Sequence, residues 1–219
     1  MDSVTSFIYG MSMMFFSMMA FLFWRKGKEM LFRMIMWLMI VVDLQLVKDM
    51  VFFQFYGFDN EHVWYLTSSL DMMIIPFYSF VLMELVKPGW FGWLKALMLE
   101  LPFLLFPVFY IFTHNIIWFY VLSVWGAIYG CSTFILLIFL IRRYHRQLKE
   151  RFSYQENINL NWLLAILNTF FLILFLWTLS CFVINVDYDN IYMVSSLILW
   201  MLIDYFVYRH ESVIEELSD

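Results

Sequence analysis

The sequence predicts an all-α, polytopic membrane protein of seven transmembrane helices, with the N-terminus outside and the C-terminus in the cytoplasm. Three observations predict it. Hydrophobic residues make up 64% of the 219-residue chain and charged residues 14%, against roughly 45–50% and about 25% in soluble domains. That contrast excludes a water-soluble globular enzyme, and the 22% of aromatic residues excludes a disordered chain. Seven stretches are long and apolar enough to cross a ~30 Å hydrocarbon core, which takes ~20 residues of helix. Basic residues then alternate between successive connections, which sets direction.

In chain order the spans are 5–24, 30–56, 63–86, 90–113, 116–141, 161–184 and 191–208. The first has neither a basic leader nor a small-residue cleavage site after it, so it reads as a span and not as a signal peptide. The connection to the second carries Arg25, Lys26 and Lys28, with Arg33 a turn later. Lys87 follows the third span and Lys95 opens the fourth. Arg142, Arg143, Arg146, Lys149 and Arg151 follow the fifth, and Arg209 follows the seventh. Of the 13 Lys and Arg, Lys48 alone departs from this side. The opposite loops carry no base and hold Asp59, Glu61, Asp187 and Asp189. Trp24, Trp64, Trp90, Trp93 and Trp162 fall near span ends, where indole favours the headgroup zone. Cys131 and Cys181 lie inside spans and read as buried free thiols.

Residues 142–160 read as a basic helical extension of the fifth span and then a turn. Ser153 and Glu156 fit a capping box, and Asn157 or Asn159 fits a cap for the sixth span. The chain divides into a transmembrane domain, 1–208, and the start of a cytoplasmic linker helix, 209–219. A weak internal similarity links 64–70 with 191–197, each preceded by an Asp-Asn pair. It fits a pseudo-repeat of three, one and three helices, but short matches are common in a biased composition and a chance match fits better.

Ionisable groups inside a bilayer are costly and turn toward the bundle interior. Span two holds Asp43, Gln45, Lys48 and Asp49. At 100° per residue Gln45 and Asp49 share a face and Lys48 adjoins it. Asp71 in span three falls at the depth of Lys48, so Lys48 is expected to pair with Asp71 or Asp49. Glu100 lies near the middle of span four, Asn168 in span six and Asp204 in the inner half of span seven. The candidate ligand-binding residues are therefore Asp43, Gln45, Lys48, Asp49, Asp71, Glu100 and Asp204. Spans two, three and seven would line a pocket open to the outer side. The same charges also read as an ion-pair network that fixes helix packing. Pro76 weakens span three and marks either a hinge or a static kink, and Pro102 and Pro107 act on span four.

No metal-ligand spacing joins His62, His114, His145 and His210. Span seven has no Lys for a retinal Schiff base, and no nucleophile elbow, zinc-protease or phosphate-loop motif occurs. No enzyme activity, metal or cofactor is expected.

Four strings carry a family resemblance. They are Leu70-Asp71 with Pro76-Phe77-Tyr78 and the run 82–90; Glu100-Leu101-Pro102-Phe103; the run 125–130; and Phe152-Ser153-Tyr154 with the run 156–163. In this order they resemble the N-terminal membrane region of bacterial AraC-type transcriptional regulators, which carry a multi-span domain ahead of a cytoplasmic helix-turn-helix domain. The resemblance runs from span two to the tail. It implies a receptor-like sensor in the bacterial inner membrane that relays an outer-side or membrane ligand signal to a DNA-binding output. It also implies a homodimer, because AraC-type domains usually bind DNA in pairs. The sequence ends at Asp219 before any helix-turn-helix segment, so this chain itself is expected to bind no nucleic acid. Its partners would be the bilayer and a small molecule or ion. The alternatives are a small transporter or channel, with Asp43, Glu100 and Asp204 along an ion path, and a membrane scaffold.

Overall fold

The computed structural model describes residues 3–27, 29–58, 60–87, 89–151, 161–183 and 185–218, with the backbone alone for 144–151, 161 and 208–218. Every regular element among them is helical: α1 (Ser3–Lys26), α2 (Met30–Tyr56), α3 (Glu61–Asp71), a 3₁₀ turn (Met72–Ile74), α4 (Ile75–Val86), α5 (Trp93–Thr113), α6 (Ile117–Arg151), α7 (Asn161–Phe182) and α8 (Val186–Ser218). Seven of the resulting helical stretches are long and apolar enough to cross a membrane, with α3 and α4 together forming the third. The capping-box pair Ser153 and Glu156, the caps Asn157 and Asn159, Lys28 and Asp59 lie outside the described residues.

The bundle is built around the third span. Within its apolar window 72% is buried, against 22% for α5 and for α6, so α5 and α6 form the rim and turn most of their surface to lipid. Exposed side chains such as Phe7, Phe112 and Trp93 are those of a lipid-facing surface. Helix α1 packs between α2 and α8, α7 against α8, and α5 against α6. Gly126 and Gly130 let α6 in close. A β-carbon at Gly126 would stand 3.3 Å from Ile75 Cδ1, and one at Gly130 3.4 Å from Leu174 Cδ2. The sequence shows no strong small-xxx-small stripe, yet this one pair brings α6 onto α4 and α7.

The break in the third span follows from Pro76. Proline has no N–H, and its ring crowds the carbonyl four residues back, which is that of Met72. The chain tightens into a 3₁₀ turn there and resumes as α4 with Pro76 in its first turn. By contrast α5 runs unbroken through Pro102 and Pro107.

Asparagine opens three helices at one end of the bundle. Asn60 Oδ1 accepts from Val63 N at 3.3 Å, Asn115 Oδ1 from Ile117 N at 3.0 Å, and Asn185 Oδ1 from Asp187 N at 2.8 Å. Each satisfies an N–H that the helix itself leaves open. The third cap corrects the expected start of the seventh span, which begins at Val186 and not near 191. Asp187 and Asp189, expected in a loop, sit in the first turn of α8, where the helix dipole favours negative charge. The asparagines of the two Asp-Asn pairs also occupy different places. Asn60 caps α3, whereas Asn190 is already inside α8 and donates to Thr5 Oγ1 at 2.9 Å. These pairs therefore give the pseudo-repeat no structural register.

Candidate functional site

The polar residues gather where the starts of α1, α3 and α8 meet the ends of α2 and α7. Thr5 meets Asn190, Tyr9 meets Asp189, and Trp64 donates its indole N–H to the Cys181 carbonyl at 3.0 Å. A cavity of about 90 Å³ lies inside this end, walled by all five helices and by the first turn of α4. Its aromatic wall includes Tyr9, Phe16, Trp64, Tyr78, Tyr192 and Trp200. Its polar groups include Ser12, Gln45, Asp49, Asp71 and Asp189.

Helical spacing places the α2 residues. Val42, Gln45, Leu46, Asp49 and Phe53 recur every three or four positions and line the cavity together. Lys48 adjoins that face and reaches sideways. Its ammonium donates to Asp71 Oδ1 at 2.7 Å and to the Thr67 carbonyl at 2.9 Å, and lies 2.8 Å from Asp49 Oδ1. The Asp49 contact is an ion pair by distance, though its angle falls short of a hydrogen bond. Both expected partners of Lys48 are thus engaged at once. An ammonium has three donors, and this one spends two on hydrogen bonds and stands in ion-pair distance of Asp49. Lys48 does not line the cavity; it stands behind the two aspartates, in the wall of a separate open groove of about 400 Å³.

Gln45 lines both spaces, and its amide N–H points at the Leu70 and Asp71 carbonyls, at 3.5 and 3.4 Å. Those carbonyls border the 3₁₀ break, where helical partners are lost. Thus Pro76, five residues away from Asp71, shapes the cavity wall through the backbone.

Of the seven candidates, three line the cavity: Gln45, Asp49 and Asp71. Asp43 accepts from Ser17 Oγ at 2.6 Å on the α1–α2 seam. Glu100 lines the open groove opposite Lys48. Asp204 is 4% exposed, and neither carboxyl oxygen has a hydrogen-bond partner among the described residues. Neither Asp43 nor Asp204 borders the cavity or the groove, and Asn168 is exposed on α7.

Sequence reasoning missed α1 and α7 as walls, and it missed Asp189. The Tyr9 hydroxyl donates to Asp189 Oδ2 at 3.1 Å across the α1–α8 contact. Asn185, Asp187 and Asp189 form a cap followed by first-turn acids, a signal that could have moved the helix start and drawn Asp189 inward. Two further expectations change. Trp64 is buried at 3% exposure with its N–H bonded inside, so it is no interface anchor, unlike Trp24 at 66% and Trp93 at 82%. Cys131 is exposed while Cys181 is buried, and both are free.

Outside the cavity, Glu84 is 5% exposed and its two oxygens accept from Gly89 N at 2.7 Å and Phe91 N at 3.0 Å. It ties down the connection from α4 to α5, where Gly89 takes a positive φ of 79°. His62 and His114, far apart in sequence, stack edge to face at 6.0 Å beside Tyr110. Among the described residues no group of three or more His, Cys, Asp or Glu is arranged to hold a metal ion.

Comparison with protein-family models, curated proteins and solved structures finds no match.

Proposed function

We propose that this chain is the membrane-embedded sensing part of a bacterial inner-membrane regulator, with its N-terminus outside. A small ligand entering from the outer end would bind in the cavity and shift α8. The observation that carries this reading is the double position of α8. Asp189, Tyr192, Met193, Ser196 and Trp200 form one wall of the cavity, and the same helix continues without interruption to Ser218. From Asp189 to Ser218 that is a rod of roughly 45 Å at 1.5 Å per residue. A rigid element with one end in a binding site and the other beyond the membrane is what a relay requires, provided the ligand contacts it differently in two states. The alternation of Lys and Arg supports the orientation. The resemblance to AraC-type regulators supports a DNA-binding output on the cytoplasmic side.

The transporter alternative draws less support. Asp43, Glu100 and Asp204 would have to form one path, yet Asp43 is held on a seam, Glu100 borders the groove, and Asp204 borders neither space.

The test is a fusion in which a dimerisation-dependent DNA-binding reporter follows Asp219 in frame. Tyr9→Phe and Asp189→Asn, at equal membrane levels, are expected to change reporter output about threefold or more. Asp43→Asn, off the cavity, is expected to leave it unchanged. Equal output from all three variants and the parent would sink the relay.

A further inference from the structure

We infer that the cavity takes a small organic ammonium ion, and that a linear diammonium fits it best. This rests on the cavity being the ligand site proposed above, and it names the chemistry that site selects.

The first argument is charge. Among the described residues, three carboxylates line the cavity, Asp49, Asp71 and Asp189, and no Lys, Arg or His does. One ammonium, Lys48, sits behind two of them and is paired with both. Among the described residues, Asp189 receives a neutral hydroxyl, from Tyr9, and pairs with no cation. Asp49 and Asp71 are bridged by the one ammonium, and Asp189 lines the same cavity. Charges in a bilayer require compensation, and with all three carboxylates ionised Lys48 alone leaves two of them without a counter-charge. An anionic ligand would add to the imbalance, and a neutral one would leave it.

The second argument is the wall. Aromatic faces attract cations, most strongly where water is excluded, and indole and phenol rings from α1, α3, α4 and α8 surround the space. A bare metal ion prefers converging oxygens, and the described residues hold no such group. Carboxylates spread over an aromatic cavity suit an extended organic cation better.

The third argument is an open acceptor. Ser12 is 1% exposed, lines the cavity, and its hydroxyl has no hydrogen-bond partner among the described residues. A buried hydroxyl without a partner is costly, and an ammonium N–H would satisfy it. The volume sets the size. At about 10–15 Å³ per water on this measure, 90 Å³ holds roughly six to nine small groups, enough for a four-carbon chain with an ammonium at each end.

The experiment is calorimetric titration of the full chain in lipid nanodiscs with four probes: butane-1,4-diammonium, butylammonium, butane-1,4-diol and succinate. Saturable binding is expected for the diammonium, weaker binding for butylammonium, and none for the diol or succinate. Asp189→Asn is expected to weaken the diammonium by about tenfold or more, and Ser12→Ala by about threefold. Thermal unfolding of each variant checks that the bundle is intact, and the four-probe comparison on the parent chain needs no variant. Binding of the diol or succinate as tight as the diammonium overturns the inference, as does no binding by either ammonium. Saturable heat from sodium chloride alone, abolishing the diammonium signal, assigns the site to an inorganic cation and also overturns it. Diammonium binding without any effect on the reporter fusion keeps the ligand class and removes the sensor reading. A reporter that responds to Tyr9→Phe in a chain that binds neither ammonium does the reverse.

Discussion

Lys48 has three N–H groups, and Asp71, Thr67 and Asp49 surround it. Its side chain is 17% exposed, and two carboxylates depend on it for compensation. Lys48→Met leaves both without a counter-ion, which costs about 3 kcal/mol for a buried pair broken on one side. The expected result is a clear fall in unfolding temperature in nanodiscs, with Asp71→Asn in the same chain restoring more than half of it. An unchanged midpoint for Lys48→Met would mean that the pair is not holding α2 to α3. Glu84 makes a similar point at a loop. Its carboxylate accepts two backbone N–H groups that have no helical partner. Glu84→Ala leaves both open, so hydrogen exchange at Gly89 and Phe91 should quicken by tenfold or more, about 1.4 kcal/mol per decade. An unaltered exchange rate would refute the tether.

At the scale of the element, the caps and the close glycines decide where helices begin and how near they come. Asn185→Ala should cost ~1 kcal/mol, a typical value for a lost N-cap. Exchange at Asp187 and at the residues next to it reports the change. The effect should extend to the cavity, because Asp189 lies in the turn that Asn185 fixes. Gly126→Leu forces a side chain into Ile75, and overpacking of this kind costs about 1–3 kcal/mol. The expected outcome is a lower unfolding temperature, with Gly10→Leu as a control, since a β-carbon at Gly10 meets nothing within 4 Å.

At the scale of the molecule, the central third span and the two long helices α6 and α8 define the layout. A membrane-impermeant maleimide tests the orientation. In a chain with Cys131 and Cys181 replaced by Ser, a cysteine at Asn115 should label from outside intact cells, and one at Arg143 only after lysis. The opposite pattern would invert the protein and move the cavity mouth to the cytoplasm.

Much of this architecture was legible in the chain. Span number follows from apolar length, because lipid leaves the backbone no partner but its own helix. The pairing of Lys48 with Asp71 and Asp49 was legible too, since a lone base in a span needs a carboxylate at the same depth. The facing of Gln45 and Asp49 came from helical period. What the chain could not show is which helices share a wall. Tyr9 and Asp189 stand 180 positions apart, and no periodicity within one helix reports a neighbour so distant. Position inside a span alone gave Asp43, Glu100 and Asp204 the same standing as Asp49 and Asp71. Only packing separated them, because a polar group in a span can be compensated on a seam, bordered by an open groove or left alone as well as turned to a cavity. The amino-acid order thus determined the helices, their number and their buried charges. The tertiary structure decided that α1, α2, α3, α7 and α8 close around one space, because burial there depends on contacts that only the folded bundle makes.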